Sequence, residues 1–268
     1  MDKCLANSFK KSEDEIFKSD LCKALLTSNI PLNKLNNVSF KSFLEKYCKK
    51  PVPDESTLRK NYVNNCYRDS MHEIRQHVQN KYIYFIVDET TDVCGRYIAN
   101  LLVGSLCEDS FHKPSLVAVK ELDKTNNVTI SRFIQGALAN LYLPDSIPFD
   151  KVLLMISDAA TYMVKASTNL KIFYPNLIHC TCLAHGVNRV AEEIRNKFPL
   201  INDLINNVKK VFIKAPLRVQ MYKEKLPDTP LPPKPIVTRW GTWLEAALFY
   251  FKYFKEIKEI IFLYDDDI

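Results

Sequence analysis

The spacing of apolar side chains predicts that the first part of the chain is helical. Three stretches show this spacing: 12–28, 38–49 and 55–79. The first of them opens with acidic residues, and Ser12 is followed three residues later by Glu15, a pair typical of a capping box. We therefore expect a helical N-terminal segment over residues 1–80.

Between residues 81 and 215 the pattern alternates between short β-favouring runs and stretches of helical spacing. The predicted strands are 81–88, 97–106, 115–121, 151–157 and 177–180. The predicted helices are 128–142, 159–170, 183–197 and 200–214. Three strands in succession, then a helix, a strand, a helix, a strand and further helices, predict an α/β core.

Proline separates this core from a last helical stretch. Six of the 14 prolines fall within 216–235, and because proline lacks a backbone N–H and blocks helices, residues 216–237 are predicted to be an extended linker. Beyond it, residues 241–263 carry apolar side chains on one helical face. We expect this helix to belong to a further segment, 238–268.

Composition and charge exclude several classes of protein. The 5 glycines include no G-x-x-x-x-G-K or G-x-G-x-x-G string, so nucleotide binding through a P-loop or a Rossmann turn is not expected. No uncharged stretch approaches the ~20 residues that a membrane span needs, and the first residues lack the pattern of a signal peptide. We expect neither a membrane protein nor a secreted one. The net charge of +6 permits nucleic-acid binding without requiring it.

Two carboxylates follow predicted strands, Asp88 after the first and Asp158 after the fourth. If those strands are parallel neighbours, both acids emerge at the carboxyl edge of the sheet, where ligands bind in open α/β folds. Such a pair suits divalent metal ions in phosphoryl transfer. The alternative is that acidic residues follow strands because turns are polar. Spacing alone leaves both interpretations open.

Four ordered motifs resemble those of hAT superfamily DNA transposases. They are VDETTD (87–92), ISDAATYMVKA (156–166), HCTCLAHGVNRVAEEI (179–194) and TRWGTW (238–243). The resemblance extends from about residue 25 to the end of the chain. It implies a ribonuclease-H-like core over 81–215, with a mixed five-stranded sheet and flanking helices, followed after the linker by the start of a helical insertion domain.

The resemblance also implies a catalytic site. Asp88 and Asp158 would be two acids of a DDE triad that binds two Mg²⁺ or Mn²⁺ ions for DNA cleavage and strand transfer. Asp92 is the second choice for the first acid. Cys182 and His185 match a C-x-x-H pair, in which the histidine would lie near the scissile phosphate. Structural zinc is not expected there, because no second pair of ligands follows.

The resemblance implies DNA as the partner, in the form of transposon ends or sites derived from them. It also implies a nuclear location; without it, a cytoplasmic location is expected. Arg239 and Trp240 match an R-W pair that would contact distorted or flipped DNA. Lys209, Lys210 and Lys214 belong to a basic cluster that could neutralise phosphates. The same cluster could equally be the solvated face of a helix.

One feature of the family has no counterpart. The third acid is a glutamate beyond the helical insertion, whereas this chain ends at Ile268. We therefore expect a truncated polypeptide that is inactive alone and forms homo-oligomers only if the missing dimerisation region is supplied. Whether the chain is an enzyme stays open. The alternatives are a domesticated, non-catalytic DNA- or protein-binding regulator and an unrelated metal-dependent nuclease with the same core.

Overall fold

A computed structural model describes residues 12–107, 112–236 and 241–262. The chain divides into two compact units. The first extends to Ile156 and also includes Ala160–His179, whereas the second comprises Ser157–Ala159 and the chain from Cys180 onward. None of the described helices is long and apolar enough to cross a bilayer.

Among the described residues, the first unit begins with four α-helices, α1 (Glu13–Thr27), α2 (Val38–Cys48), α3 (Glu55–Asn61) and α4 (Val63–Val78), and a short 3-10 helix, Leu32–Asn36, precedes α2. The predicted capping box is confirmed, since Ser12 Oγ accepts a hydrogen bond from the Glu15 N–H at 3.2 Å and Glu15 Oε2 accepts one from the Ser12 N–H at 3.1 Å. The single helix predicted over 55–79 is two helices, which meet at Tyr62, where φ is −119° in place of about −63°.

The described residues form one sheet of five strands: β1 (Tyr82–Thr91), β2 (Tyr97–Leu106), β3 (Ser115–Leu122), β4 (Val152–Ser157) and β5 (Ile178–Thr181). Their order is β3-β2-β1-β4-β5. β1 pairs antiparallel with β2, β2 pairs antiparallel with β3, and β1 pairs parallel with β4. This mixed five-stranded sheet with flanking helices confirms the predicted α/β fold of the ribonuclease-H-like type.

One face of the sheet is buried beneath two helices of the first unit, α5 (Asn127–Tyr142) and α6 (Thr161–Leu170). Alternate residues of β1 point into this core, and Ile83, Phe85 and Val87 are at most 1% exposed. The intervening residues of β1 face the other way. Among them Tyr84 packs against the backbone of β2 at Gly104, where an added Cβ would lie 2.5 Å from the tyrosine ring.

The second unit contains five helices among its described residues: α7 (Leu183–Lys197), α8 (Pro199–Val211), α9 (Pro216–Lys225), α10 (Thr242–Lys252) and α11 (Phe254–Phe262). They enclose a core of their own, listed here by its buried members: Ile205, Val208, Phe212, Tyr222, Trp243, Ala246, Tyr250, Ile257 and Ile260. The single helix predicted over 241–263 is interrupted at Tyr253, between α10 and α11.

The prediction that the proline-rich stretch is extended is wrong for its first ten residues, which form α9. Pro216 occupies the start of that helix, where a missing N–H costs nothing because the first N–H groups of a helix have no partner within it. Residues 226–236 form no helix or strand, and the Tyr222 hydroxyl donates a hydrogen bond of 2.8 Å to the Pro230 carbonyl. The boundaries predicted for the domains remain predictions.

Candidate functional site

Asp88 lies inside a strand and not at its end, which corrects the predicted boundary at residue 88. β1 continues to Thr91 because its pairing with β2 continues to the pair Thr91–Tyr97. The parallel pairing with β4 stops earlier, at Ile86 and Ile156. Asp88 is therefore an exposed residue on the part of β1 that extends past its pairing with β4.

Asp158 directly follows Ser157, the last residue of β4, and is half-buried. Ile86 and Ile156 are partners in the parallel register, and each acid comes two residues after one of them. The predicted condition that the two strands are parallel neighbours is thus met. Asp88 belongs to the first unit and Asp158 to the second.

Asp92, the second choice for the first acid, is engaged in the turn between β1 and β2. Its carboxylate accepts hydrogen bonds from the N–H groups of Cys94 at 2.8 Å and Arg96 at 2.9 Å. The Arg96 guanidinium adds an ion pair of 2.6 Å. These contacts, above all the backbone hydrogen bond from Arg96, hold the pKa of Asp92 below its ordinary value. The carboxylate therefore stabilises the turn, whereas Asp88 stays exposed on the strand.

Glu89 makes a polar contact that the sequence pattern did not predict. The Tyr162 hydroxyl of α6 donates a hydrogen bond of 3.3 Å to Glu89 Oε2. Because neighbouring residues of a strand point to opposite faces, Glu89 lies on the helix-covered face and Asp88 on the other. The alternation of side chains along a strand was enough to predict that these two acids lie on opposite faces of the sheet. Glu89 links β1 to α6, and we assign it no part in the candidate site.

Cys182 and His185 stand at the start of α7. Cys182 precedes the first helical residue, and its backbone N–H donates a hydrogen bond of 2.7 Å to the carbonyl oxygen of Ser157. His185 lies in the first turn and is half-buried. The backbone of the C-x-x-H motif thereby holds the end of β4, next to Asp158. Within the described parts of the chain, no three His, Cys, Asp or Glu side chains are grouped so that they could hold a metal ion.

The three predicted lysines lie at the end of α8 and just beyond it. Lys209 and Lys210 are in the last turn of the helix, and Lys214 follows with a left-handed backbone, φ 56°. Lys210 donates a hydrogen bond of 3.3 Å to the side chain of Asn207. Lys210 and Lys214 are exposed, and Lys209 is half-buried. The predicted Arg239 and Trp240 lie outside the described residues.

These features define an α/β fold of ribonuclease-H-like architecture, with Asp88 on β1 and Asp158 directly after β4, its parallel neighbour. Residues 53–211, more than half of the 268, match the family described as "Domain of unknown function (DUF659)". The chain therefore belongs to the DUF659 family, a family associated with hAT-like transposase regions. The matched range contains Asp88, Asp158 and the C-x-x-H motif.

No curated protein matches the sequence. Among solved structures, one chain of the simian T-cell lymphotropic virus intasome, determined by cryo-electron microscopy in complex with PP2A regulatory subunit B56 gamma, is similar at 11% identity. The similarity covers 78% of this chain and 67% of that chain, with a TM-score of 0.25. A likeness of this size supports no conclusion about function.

Proposed function

We propose that this chain is a transposase-related, DNA-binding core in which Asp88 and Asp158 are the first two acids of a site for metal-dependent phosphoryl transfer. The observation that carries the proposal is the parallel pairing of β1 with β4, whose last partners, Ile86 and Ile156, each precede one of the acids by two residues. Side chains two residues beyond one register position emerge at one edge of the sheet.

The chemistry of this pair fits Mg²⁺ or Mn²⁺. Both ligands would be hard carboxylate oxygens, and Mg²⁺ in phosphoryl-transfer sites is commonly held by one or two carboxylates together with water and substrate phosphates. A bound divalent ion polarises the phosphoryl oxygens and offsets negative charge there. Asp88 and Asp158 would hold it, and the hydrogen bond from the Cys182 N–H to Ser157 would position the residue that precedes Asp158.

The second unit would contribute the contacts to DNA. His185, in the first turn of α7, would donate a hydrogen bond to a phosphate oxygen close to Asp158. Lys209, Lys210 and Lys214 would neutralise backbone phosphates, and this contribution should weaken as salt rises. Arg239 and Trp240 would contact the same DNA, as the resemblance to hAT transposases implies. A protein with this role would act in the nucleus.

Metal binding by the two acids is tested with Mn²⁺ and isothermal titration calorimetry. We expect Asp88→Asn and Asp158→Asn each to weaken Mn²⁺ binding by on the order of tenfold, because each removes one of two charged ligands. Asp123→Asn is the matched control, since Asp123 is an exposed carboxylate after β3 in the first unit. Equal affinities of all four proteins for Mn²⁺ would contradict the assignment.

The DNA contacts are tested by fluorescence anisotropy with a labelled duplex over a series of salt concentrations. Replacing Lys209, Lys210 and Lys214 together by Ala should reduce the slope of log Kd against log salt by about 3, roughly one per phosphate contact. The control replaces three exposed lysines of the first unit: Lys34, Lys60 and Lys171. If both triple variants change the slope equally, the lysines act only through net charge.

A non-catalytic DNA-binding regulator is the second candidate. It is favoured by the finding that the residues described by the structure include no group of three His, Cys, Asp or Glu side chains that could hold a metal ion. Under this alternative, the Asp88→Asn/Asp158→Asn double variant binds DNA as tightly as the wild-type chain, with or without Mn²⁺. Nicking of supercoiled plasmid by the wild-type chain but not by the double variant would favour the catalytic proposal.

A further inference from the structure

A groove in the first unit lies away from the two acids, between β3 and α5. It has a volume of about 380 Å³ and is lined on one side by residues 117–120 of β3. Helix α5 lines the other side, and Tyr67 of α4 contributes to the wall. β3 is the last strand of the sheet, and within the described parts of the chain no strand pairs with its outer edge. The groove therefore runs beside an open strand edge.

The shape of α5 makes this space available. Phe133 and Ala137 are buried and form its apolar floor, whereas Gly136 is exposed. A Cβ added at Gly136 would meet no described atom within 4 Å apart from its chain neighbours and the nearby backbone of α5 itself. Because Gly136 and Ala137 have little or no side chain, the backbone of α5 is accessible along the groove. An open strand edge beside a helix is the arrangement in which domains bind an extended peptide as an additional strand.

The charge of the groove selects the chemistry of its occupant. Lys120 on β3 and Arg132 on α5 both line it, and both are exposed. Among the described residues that line it there is no carboxylate, and the polar side-chain groups that remain are the Tyr67 hydroxyl and the Asn140 amide. Complementary charge steers partners and fixes their register, so an acidic segment fits here and a basic one is repelled.

We propose that the groove between β3 and α5 binds an acidic, extended segment of a partner protein, which adds a strand to the edge of β3. The four residues 117–120 span roughly 13 Å at about 3.3 Å per residue, so about four partner residues are recognised. Alternate side chains of that segment face the apolar floor, and its carboxylates pair with Lys120 and Arg132. This function is independent of the metal and DNA contacts proposed above.

The test begins with selection from a phage-displayed library of random ten-residue peptides against the folded chain. Gly136→Leu fills the groove without removing a contact, and Gly136→Ala is the matched control, because one methyl group there meets open space. We expect the wild-type chain and Gly136→Ala to enrich the same acidic peptides and Gly136→Leu not to enrich them. Enrichment of the same sequences by Gly136→Leu would overturn the proposal, as would an absence of acidic sequences.

A synthesised copy of the most enriched peptide then locates the contact. Its binding should weaken by on the order of tenfold in Lys120→Glu and in Arg132→Glu, through charge reversal beside the groove. Hydrogen exchange should slow at the backbone amides of Ser115–Leu122 when the peptide binds. If exchange slows in another part of the chain and its rate in β3 does not change, the proposal is overturned. Weaker DNA binding by Gly136→Leu, without peptide enrichment, would assign the groove to nucleic acid instead. Mn²⁺ affinity should be unchanged in all these variants, which separates this test from that of the proposed function.

Discussion

The carboxylate of Asp92 and the guanidinium of Arg96 lie 2.6 Å apart, within the turn that joins β1 to β2. The same carboxylate accepts the backbone N–H of Arg96, and Gly95 between them adopts φ 78°. An Asp that accepts N–H groups from residues further along its own turn is a common way to close a tight connection. Sequence alone left Asp92 as the second choice for the first acid of the triad, and these contacts show that its carboxylate holds the hairpin.

Replacing Asp92 by Asn should destabilise the hairpin in a pH-dependent way. The folded-state pKa of Asp92 lies below its ordinary value of 3.8, so the stabilisation is present above that value and is lost as the pH falls through the folded-state pKa. Thermal unfolding followed by circular dichroism should show a lower melting temperature for Asp92→Asn at pH 7. The difference from wild type should shrink below pH 3.8. A difference that is constant with pH would contradict this account.

Replacing Cys182 by Pro should uncouple α7 from the end of β4. The substitution removes the N–H that donates to Ser157, while the φ of −58° at Cys182 already suits proline. Because Ser157 is only 1% exposed, its carbonyl would lose a partner inside the protein, at a cost of about 1–3 kcal/mol. Urea unfolding measures this cost. Cys182→Ala keeps the N–H and should stay close to wild type, and equal losses in both variants would show that the thiol matters instead.

Replacing Gly104 by Ala should destabilise the sheet. The new Cβ would lie 2.5 Å from the ring of Tyr84, which is itself 9% exposed and has little room to move. Overpacking of this kind costs about 1–3 kcal/mol in the free energy of unfolding. Urea unfolding should show that the second substitution Tyr84→Leu recovers part of the loss. A Gly104→Ala variant that is as stable as the wild type would mean that β1 and β2 adjust to the added methyl group without cost.

Replacing Gly136 by Ala should stabilise the protein, and urea unfolding measures this effect as well. Gly136 is in the interior of α5, and apart from its chain neighbours and the nearby backbone of α5 itself, no described atom lies within 4 Å of the position of the new methyl group. The substitution should raise the free energy of unfolding by roughly 0.5–1 kcal/mol, the difference in helix propensity between Ala and Gly. A loss of stability would indicate that the groove beside α5 is tighter than described.

Replacing Tyr142 by Phe should stabilise the first unit. The Tyr142 hydroxyl is buried and has no hydrogen-bond partner among the described residues, and leaving such a group unsatisfied costs about 1–3 kcal/mol. Burial also raises the pKa of Tyr142 to about 12, so the stability linked to this group is complete below pH 10 and falls as the pH rises toward 12. Urea unfolding at pH 7 and at pH 11 should therefore show a larger advantage for the variant in alkali.

The control is Tyr222→Phe in the second unit. Burial raises the pKa of Tyr222 to about 12 as well, but its hydroxyl donates a hydrogen bond of 2.8 Å to the Pro230 carbonyl. Removing that hydroxyl should lower the stability at pH 7 by about 1 kcal/mol. If both variants are destabilised equally, an unseen partner satisfies Tyr142.

Strand alternation and helical periodicity predicted the elements of this fold well. β2 and α7 were predicted with the bounds that the structure shows. Polar turns flank β2, and α7 directly follows a short strand. β1 was predicted too short, since its last residues are polar and are ordered by pairing with β2. α9 was missed because proline was taken as a helix breaker at a position where it begins a helix.

The candidate site was predictable only in part. Motifs singled out Asp88 and Asp158, and the parallel pairing of their strands agrees with that choice. The turn that engages Asp92 depends on contacts with Cys94 and Arg96 that no hydrophobic pattern encodes. The groove beside β3 was not predicted at all, because it arises from the packing of β3 against α5.

β1 pairs antiparallel with β2 and parallel with β4, and these two pairings should form at different stages of folding. β1, β2 and β3 meet through short connections, so their pairing closes small loops and should form early, even during synthesis. The pairing of Ile83 with Val152 must wait until β3, α5 and β4 have all been made. The parallel pairing of β1 with β4 therefore forms late, after the antiparallel half of the sheet is in place.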